Sequence, residues 1–177
     1  TWLGAIGMTA QMLLSPESRE AYEWLTHIAY LTPDNVEAFK RLGILLTGGR
    51  VAVALVNSLG ISLIYLLVKR LWGRPAAIVS GLFLAFDPFL AGLSGLLHVD
   101  GLSATFVTLS LLATAVWLRE YGMTKRAIIW PALAGIAAGL AALTKTPTLL
   151  LIPVTGIAFL WPLAGYREIQ FRDRLLT

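Results

Sequence analysis

The apolar run from Leu42 to Val68 restricts this chain more than any other feature: it holds one charged residue, Arg50, and ends on Lys69-Arg70. A helix that crosses a bilayer needs about 20 mainly apolar residues, with roughly 17 as the lower limit. Four further stretches read as spans: Ala76 to Ala91, interrupted at Asp87-Pro88; Gly101 to Leu118; Ile128 to Leu143; and Thr148 to Leu163. Composition points the same way. Of 177 residues, 57% are hydrophobic and 14% charged, where soluble domains carry roughly a quarter charged residues. One core of this size cannot hide so much apolar surface, so lipid must be the missing solvent. The expected fold is all-α: a polytopic transmembrane helix bundle of about five spans over residues 42–163, with an external interfacial segment at 1–41 and a basic tail at 164–177. The absence of cysteine excludes disulfide scaffolds, thiolate metal sites and cysteine nucleophiles.

Charge sets the expected orientation. Lys69, Arg70 and Arg74 follow the first span, Arg119, Lys125 and Arg126 separate the third from the fourth, and Arg167, Arg172 and Arg174 follow the fifth. If all five segments cross, these lie on one side, while Glu17, Glu20, Glu23, Asp34, Glu37, Asp87 and Asp100 lie on the other. The positive-inside rule makes the basic side cytoplasmic. Basic residues spread over three loops without interleaved aromatics give no nucleic-acid footprint, so the net charge of +4 reflects topology.

Within residues 1–41, Trp2, Leu3, Ile6, Met8, Met12, Leu13 and Leu14 form an apolar stretch too short to span. Ser15-Pro16 predicts a helix start. Ala21, Trp24, Leu25, Ile28 and Leu31 then recur at helical spacing, which suits a helix lying in the membrane interface, with His27 on its polar face. The connection Thr144-Lys145-Thr146-Pro147 predicts a helical hairpin, because proline disfavours helix at the residue before it. Gly135 and Gly139, flanked by Ala134, Ala138 and Ala142, predict close helix packing, as do Gly48-Gly49 and Gly60.

Ionisable groups within or beside the membrane cost about 2.5 to 3.5 kcal/mol at mid-depth on insertion scales, so each asks for a partner or a task. Arg50, Asp87, Asp100 and Lys145 are the four, and with His98 all map to the external half. The Asp87 to Asp100 connection, with Gly92, Gly95 and Ser94, is longer than a hairpin needs and predicts a cavity at that face. Asp87 and Asp100 also fit as helix caps. Arg50 and Lys145 fit either ion pairs with them or an anionic ligand, since arginine offers a planar fork and lysine a point charge. His98 is a candidate metal ligand or proton carrier.

These residues resemble the membrane glycosyltransferases of the GT-C fold, the superfamily of dolichyl-phosphate-mannose protein O-mannosyltransferases and bacterial aminoarabinose transferases. The resemblance rests on Gly49-Arg50-Val51-Ala52, Leu84-Ala85-Phe86-Asp87-Pro88-Phe89, Ser94, Leu97-His98-Val99-Asp100-Gly101-Leu102, and Gly139-Leu140-Ala141-Ala142-Leu143-Thr144-Lys145-Thr146, in that order across about residues 42 to 150. It implies sugar transfer from a polyprenyl-phosphate carrier to an acceptor hydroxyl on the external face. Asp100 and His98 would then be catalytic, with Asp100 orienting the acceptor or a divalent metal ion, while Arg50, Lys145 and Asp87 would bind substrate. It also implies that the family's first helix and its acidic loop motif lie upstream, so that the 177 residues read as the middle of a larger enzyme. Partners would be membrane lipid, the lipid-linked donor and further membrane subunits. The alternative is a noncatalytic membrane subunit, which predicts that Asp87, Asp100, Arg50 and Lys145 pair internally with no open cavity. A transporter is disfavoured by the lack of an inverted repeat.

Overall fold

A computed structural model describes residues 1–28, 32–121 and 128–163. The expected interfacial helix position Leu31, the loop cations Lys125 and Arg126, and the whole tail 164–177 lie outside them. The described residues form an all-α bundle: α1 Trp2–Leu14, α2 Pro16–Thr26, α3 Val36–Trp72, α4 Arg74–Ala85, α5 Pro88–Gly95, α6 Val99–Glu120, α7 Ile129–Thr144, a 3-10 turn Thr146–Leu150, and α8 Leu151–Leu163.

Two helices, α3 and α6, are long and apolar enough to cross a membrane, and α1, α4, α7 and the Thr146–Trp161 segment are shorter apolar helices. On α3 the buried residues Gly49, Val53, Asn57, Gly60, Ile64 and Leu67 recur every three or four positions, as one helix face requires. Val51, Leu55, Leu59, Leu63 and Leu66 line another face and are 40% exposed or more. A continuous apolar stripe of that length is a liability in water and the normal surface of a helix in lipid. The chain is a membrane helix bundle.

The expected second span proves to be two helices. α4 stops at Ala85, and α5 begins at Pro88 with the Asp87 side chain accepting from the Phe89 amide at 2.9 Å. Proline tolerates the first helical position but not the interior, which is why the break falls there. At the other turn, Gly73 adopts φ 88°, a conformation glycine takes without penalty, and separates α3 from α4. The hairpin break falls at Lys145, which is extended, one residue earlier than expected; Thr146 already belongs to the 3-10 turn.

α6 is the central element, burying Leu102, Phe106, Leu109, Ala113 and Val116. Its pairing with α3 keeps a nearly constant sequence offset: Thr105 donates to Asn57 at 3.0 Å, 48 residues apart, and Arg70 to Glu120 at 3.0 Å, 50 apart. The two helices are therefore parallel. Against α7, Ser110 donates to the Ala134 carbonyl at 2.9 Å and Trp130 to Glu120 at 3.0 Å, the crossing pattern of antiparallel helices. Such interhelical hydrogen bonds average about 0.6 kcal/mol in membranes, so close packing of small residues carries more. On α7 that packing uses Ala134, Ala137, Ala138 and Ala141, all buried. The expected Gly135 and Gly139 are not the contact: both point into open space. Gly60 does meet its expectation, since a Cβ there would collide with Thr105.

The first helix, α1, docks on α3 through Gly7 against Gly48, and through Gln11, which donates to the Ile44 carbonyl at 3.0 Å and to Ser18 at 2.9 Å. Ser15 caps α2 with Pro16 in its first turn, as expected. α2 ends at Thr26, so Ile28 falls past it; His27 closes the helix, its Nδ1 2.7 Å from the Glu23 carbonyl.

Candidate functional site

The parallel register of α3 and α6 decides which charged residues meet. From Arg50 to Lys69 the helix rises about 29 Å at 1.5 Å per residue, the thickness of the hydrocarbon core. Arg50 therefore lies toward one end of the bundle and Lys69 at the other. Leu97 packs against Gly49, which brings the start of α6 level with Arg50. Antiparallel α7 then returns Lys145 to the same face. Arg50, Asp87, His98, Asp100 and Lys145 thus share one end of the bundle, as the sequence predicts.

Asp100 and Lys145 are joined: Nζ donates to Oδ1 at 2.6 Å. Lys145 sits in the extended break after α7, and Asp100 in the first turn of α6, where the free amides favour a carboxylate. The helix cap is His98 rather than Asp100: its Nδ1 accepts from the Asp100 amide at 3.3 Å. His98 Nδ1 also lies 3.4 Å from Asp100 Oδ2. The Asp100 and Lys145 side chains remain 37% and 44% exposed.

Asp87 and Asp100 line one cleft of ≈ 120 Å³ between α3, α4, α5 and α6, walled by Ile61, Ile64, Leu84, Leu93 and Ala104 and floored by Thr105 and Thr108. Arg50 is exposed and makes no hydrogen bond or ion pair among the described residues. Complete internal pairing with no cavity, the expectation for a noncatalytic subunit, is not what the geometry gives. Around these charges stand Phe86, Phe89, Leu96, Leu143 and Leu150, each 70% exposed or more. A polar centre with an apolar rim suits a ligand that is itself half lipid.

Sequence reasoning missed Leu97. It holds φ 55°, the one positive φ outside glycine among the described residues. That conformation costs a leucine roughly 1–2 kcal/mol, and no feature of the local sequence signals it. It turns the chain so that Leu97 packs on Gly4 and Gly49 while His98 and Asp100 open α6 beside Lys145.

The divalent ion expected at Asp100 would find one carboxylate already held by Lys145 and one imidazole; among the described residues no group of three His, Cys, Asp or Glu side chains is arranged to hold a metal. The residues present do not make up a metal site, and the chemistry below runs through side chains alone.

The opposite end is a different construction. Glu120 receives both Nε and Nη2 of Arg70 and the Trp130 indole N–H, and the Arg70 guanidinium lies 5.0 Å over the Trp130 ring. Arg119 donates to the Leu71 carbonyl.

Residues 37–174 match the family described as dolichyl-phosphate-mannose-protein mannosyltransferase. The chain is 37% identical over 113 residues to undecaprenyl phosphate-alpha-4-amino-4-deoxy-L-arabinose arabinosyl transferase 1 of Pseudomonas fluorescens, covering 62% of this chain and 19% of that protein. It is 34% identical over 110 residues to the corresponding transferases of Pseudomonas paraeruginosa and Pseudomonas aeruginosa, covering 62% of this chain and 20% of each. The chain thus spans about a fifth of the length of these relatives. No solved structure matches it.

Proposed function

Because the chain belongs to the dolichyl-phosphate-mannose-protein mannosyltransferase family, we propose that it forms the part of a membrane glycosyltransferase that receives a polyprenyl-phosphate-linked sugar. Its relatives are named for undecaprenyl-phosphate aminoarabinose, which makes that lipid the first donor to test. The observation that carries the reading is the Asp100–Lys145 pair at the end of the bundle that also holds Arg50, with exposed apolar side chains at the same end.

The chemistry follows from charge. Breaking the bond between the sugar and its carrier leaves a phosphate whose negative charge grows in the transition state, so fixed cations aimed at it accelerate the step. Arg50 offers a bidentate fork to that phosphate and Lys145 a point charge. Asp100 positions the Lys145 ammonium through Oδ1, and its free Oδ2 orients the acceptor hydroxyl. His98 opens α6 next to Asp100 at the same end of the bundle. Asp87 caps α5 and lines the cleft, placing the apolar rim that takes the first isoprene units. With the basic end cytoplasmic by the positive-inside rule, the site opens on the external face.

Asp100→Asn in the full-length protein tests the reading. Transfer from undecaprenyl-phosphate aminoarabinose should fall about 10²-fold or more, with the protein still folded by thermal melt. Unchanged turnover in the folded variant overturns the role of Asp100.

A further inference from the structure

A second hollow lies away from the Asp100–Lys145 pair. It is a groove of ≈ 490 Å³ at the basic end, within the roughly 300–1,000 Å³ range of ligand sites. Leu63, Leu66, Leu67 and Arg70 of α3 form one wall, at the three- and four-residue spacing of a single helix face, and Trp130 and Leu133 of α7 form the other. Lys69 stands at its mouth.

We propose that this groove binds an anionic phospholipid of the bilayer, with the phosphate on Lys69 and an acyl chain along Leu63, Leu66 and Leu133. The groove runs about 9 Å along α3 from Lys69 to Leu63, so a chain enters from the interface and lies on leucine throughout. Charge selects the headgroup. Among the described residues Glu120 is the acid at this end, and it is committed to Arg70. Lys69 is exposed and makes no ion pair among the described residues, and Arg74, also exposed, follows it in sequence without one, while Arg119 acts on Glu120 alongside Arg70. The end of the bundle therefore carries uncompensated positive charge where a headgroup phosphate sits. The Trp130 ring, pinned by its bond to Glu120 and covered by Arg70, gives the groove a rigid wall at interfacial depth. Basic pockets between transmembrane helices bind anionic headgroups for this reason. The phosphate-binding ends of the two sites are separate: Lys69 stands about 29 Å from Arg50 along α3, and the groove and the cleft use different residues of that helix, Leu63 and Leu67 against Ile61 and Ile64.

The test uses the purified full-length protein, native mass spectrometry, and phosphatidylglycerol or phosphatidylcholine added at equal concentration. Wild type should retain phosphatidylglycerol in preference to phosphatidylcholine. Lys69→Gln should lower retained phosphatidylglycerol about 5-fold, the effect of one charge near an anionic surface, and Lys69→Arg should restore it. Leu66→Trp, which fills the groove, should reduce both lipids. The drop caused by Lys69→Gln should persist when Arg50 is also changed to Gln, because the two cations serve different sites. Equal retention of the two lipids, or no effect of Lys69→Gln with Arg50 either present or replaced, overturns the proposal. So does a Leu66→Trp variant that melts lower with lipid retention intact, because another protein segment or a second copy then fills the groove.

Discussion

The two ends of α6 each hold a carboxylate bound to a cation from another helix, and the two pairs are built differently. Glu120 takes both nitrogens it can reach on Arg70 and the Trp130 indole besides; its side chain is 15% exposed. Asp100 takes a single ammonium, stands 37% exposed, opens on a cleft, and follows a strained leucine three residues earlier. One end uses its polar groups on the fold. The other leaves them available, and a membrane protein retains such groups at a cost, so the difference separates a structural clasp from a site.

The contrast can be broken most forcefully from the site end. Gly48→Val should drive side-chain atoms into α1 at Gly7 and Gln11 and cost about 3 kcal/mol. Thermal melting with hydrogen exchange would show α1 protection lost while the Trp130 region stays protected; uniform loss would mean the two ends are one cooperative unit. A smaller effect is expected from Leu97→Gly. It removes a backbone penalty of about 1–2 kcal/mol and a comparable amount of half-buried leucine packing, so melting should hardly move. Transfer should still fall about 10-fold as His98 and Asp100 lose their aim; parallel loss of stability would assign Leu97 to packing alone. At the clasp, Trp130→Phe deletes the hydrogen bond to Glu120 and should cost about 1 kcal/mol, read as a lowered melting point. The least effect comes from salt. Raising ionic strength from about 0.1 to 1 M shortens the screening length from roughly 10 to 3 Å. This should erase most of the stability that Asp100→Asn removes and little of what Glu120→Gln removes.

Much of this layout is legible in the sequence. The helix start at Ser15-Pro16, the break at Asp87-Pro88 and the gathering of Arg50, Asp87, His98, Asp100 and Lys145 at one face follow from proline chemistry and from counting residues across a bilayer. What escaped is tertiary. Small residues lie on several faces of α7, so composition could not say that the alanines rather than Gly135 and Gly139 meet α6. A carboxylate is favoured both at a cap and in the first turn, so the sequence could not place Asp100 one position from the other, and His98 took the cap. The docking of α1 depends on Gly7 finding Gly48, a contact no local pattern encodes. An acid among the basic residues after the third span, Glu120, was the available signal for the clasp.

The account stands most directly on the pair of variants Lys145→Met and Glu120→Gln, made in the full-length protein and assayed for transfer from undecaprenyl-phosphate aminoarabinose per folded molecule. Lys145→Met should lose about 10²-fold in rate with little change in melting point, and Glu120→Gln should melt lower with its rate per folded molecule unchanged. Equal loss of transfer in both, or full transfer by Lys145→Met, would contradict the separation of the two ends.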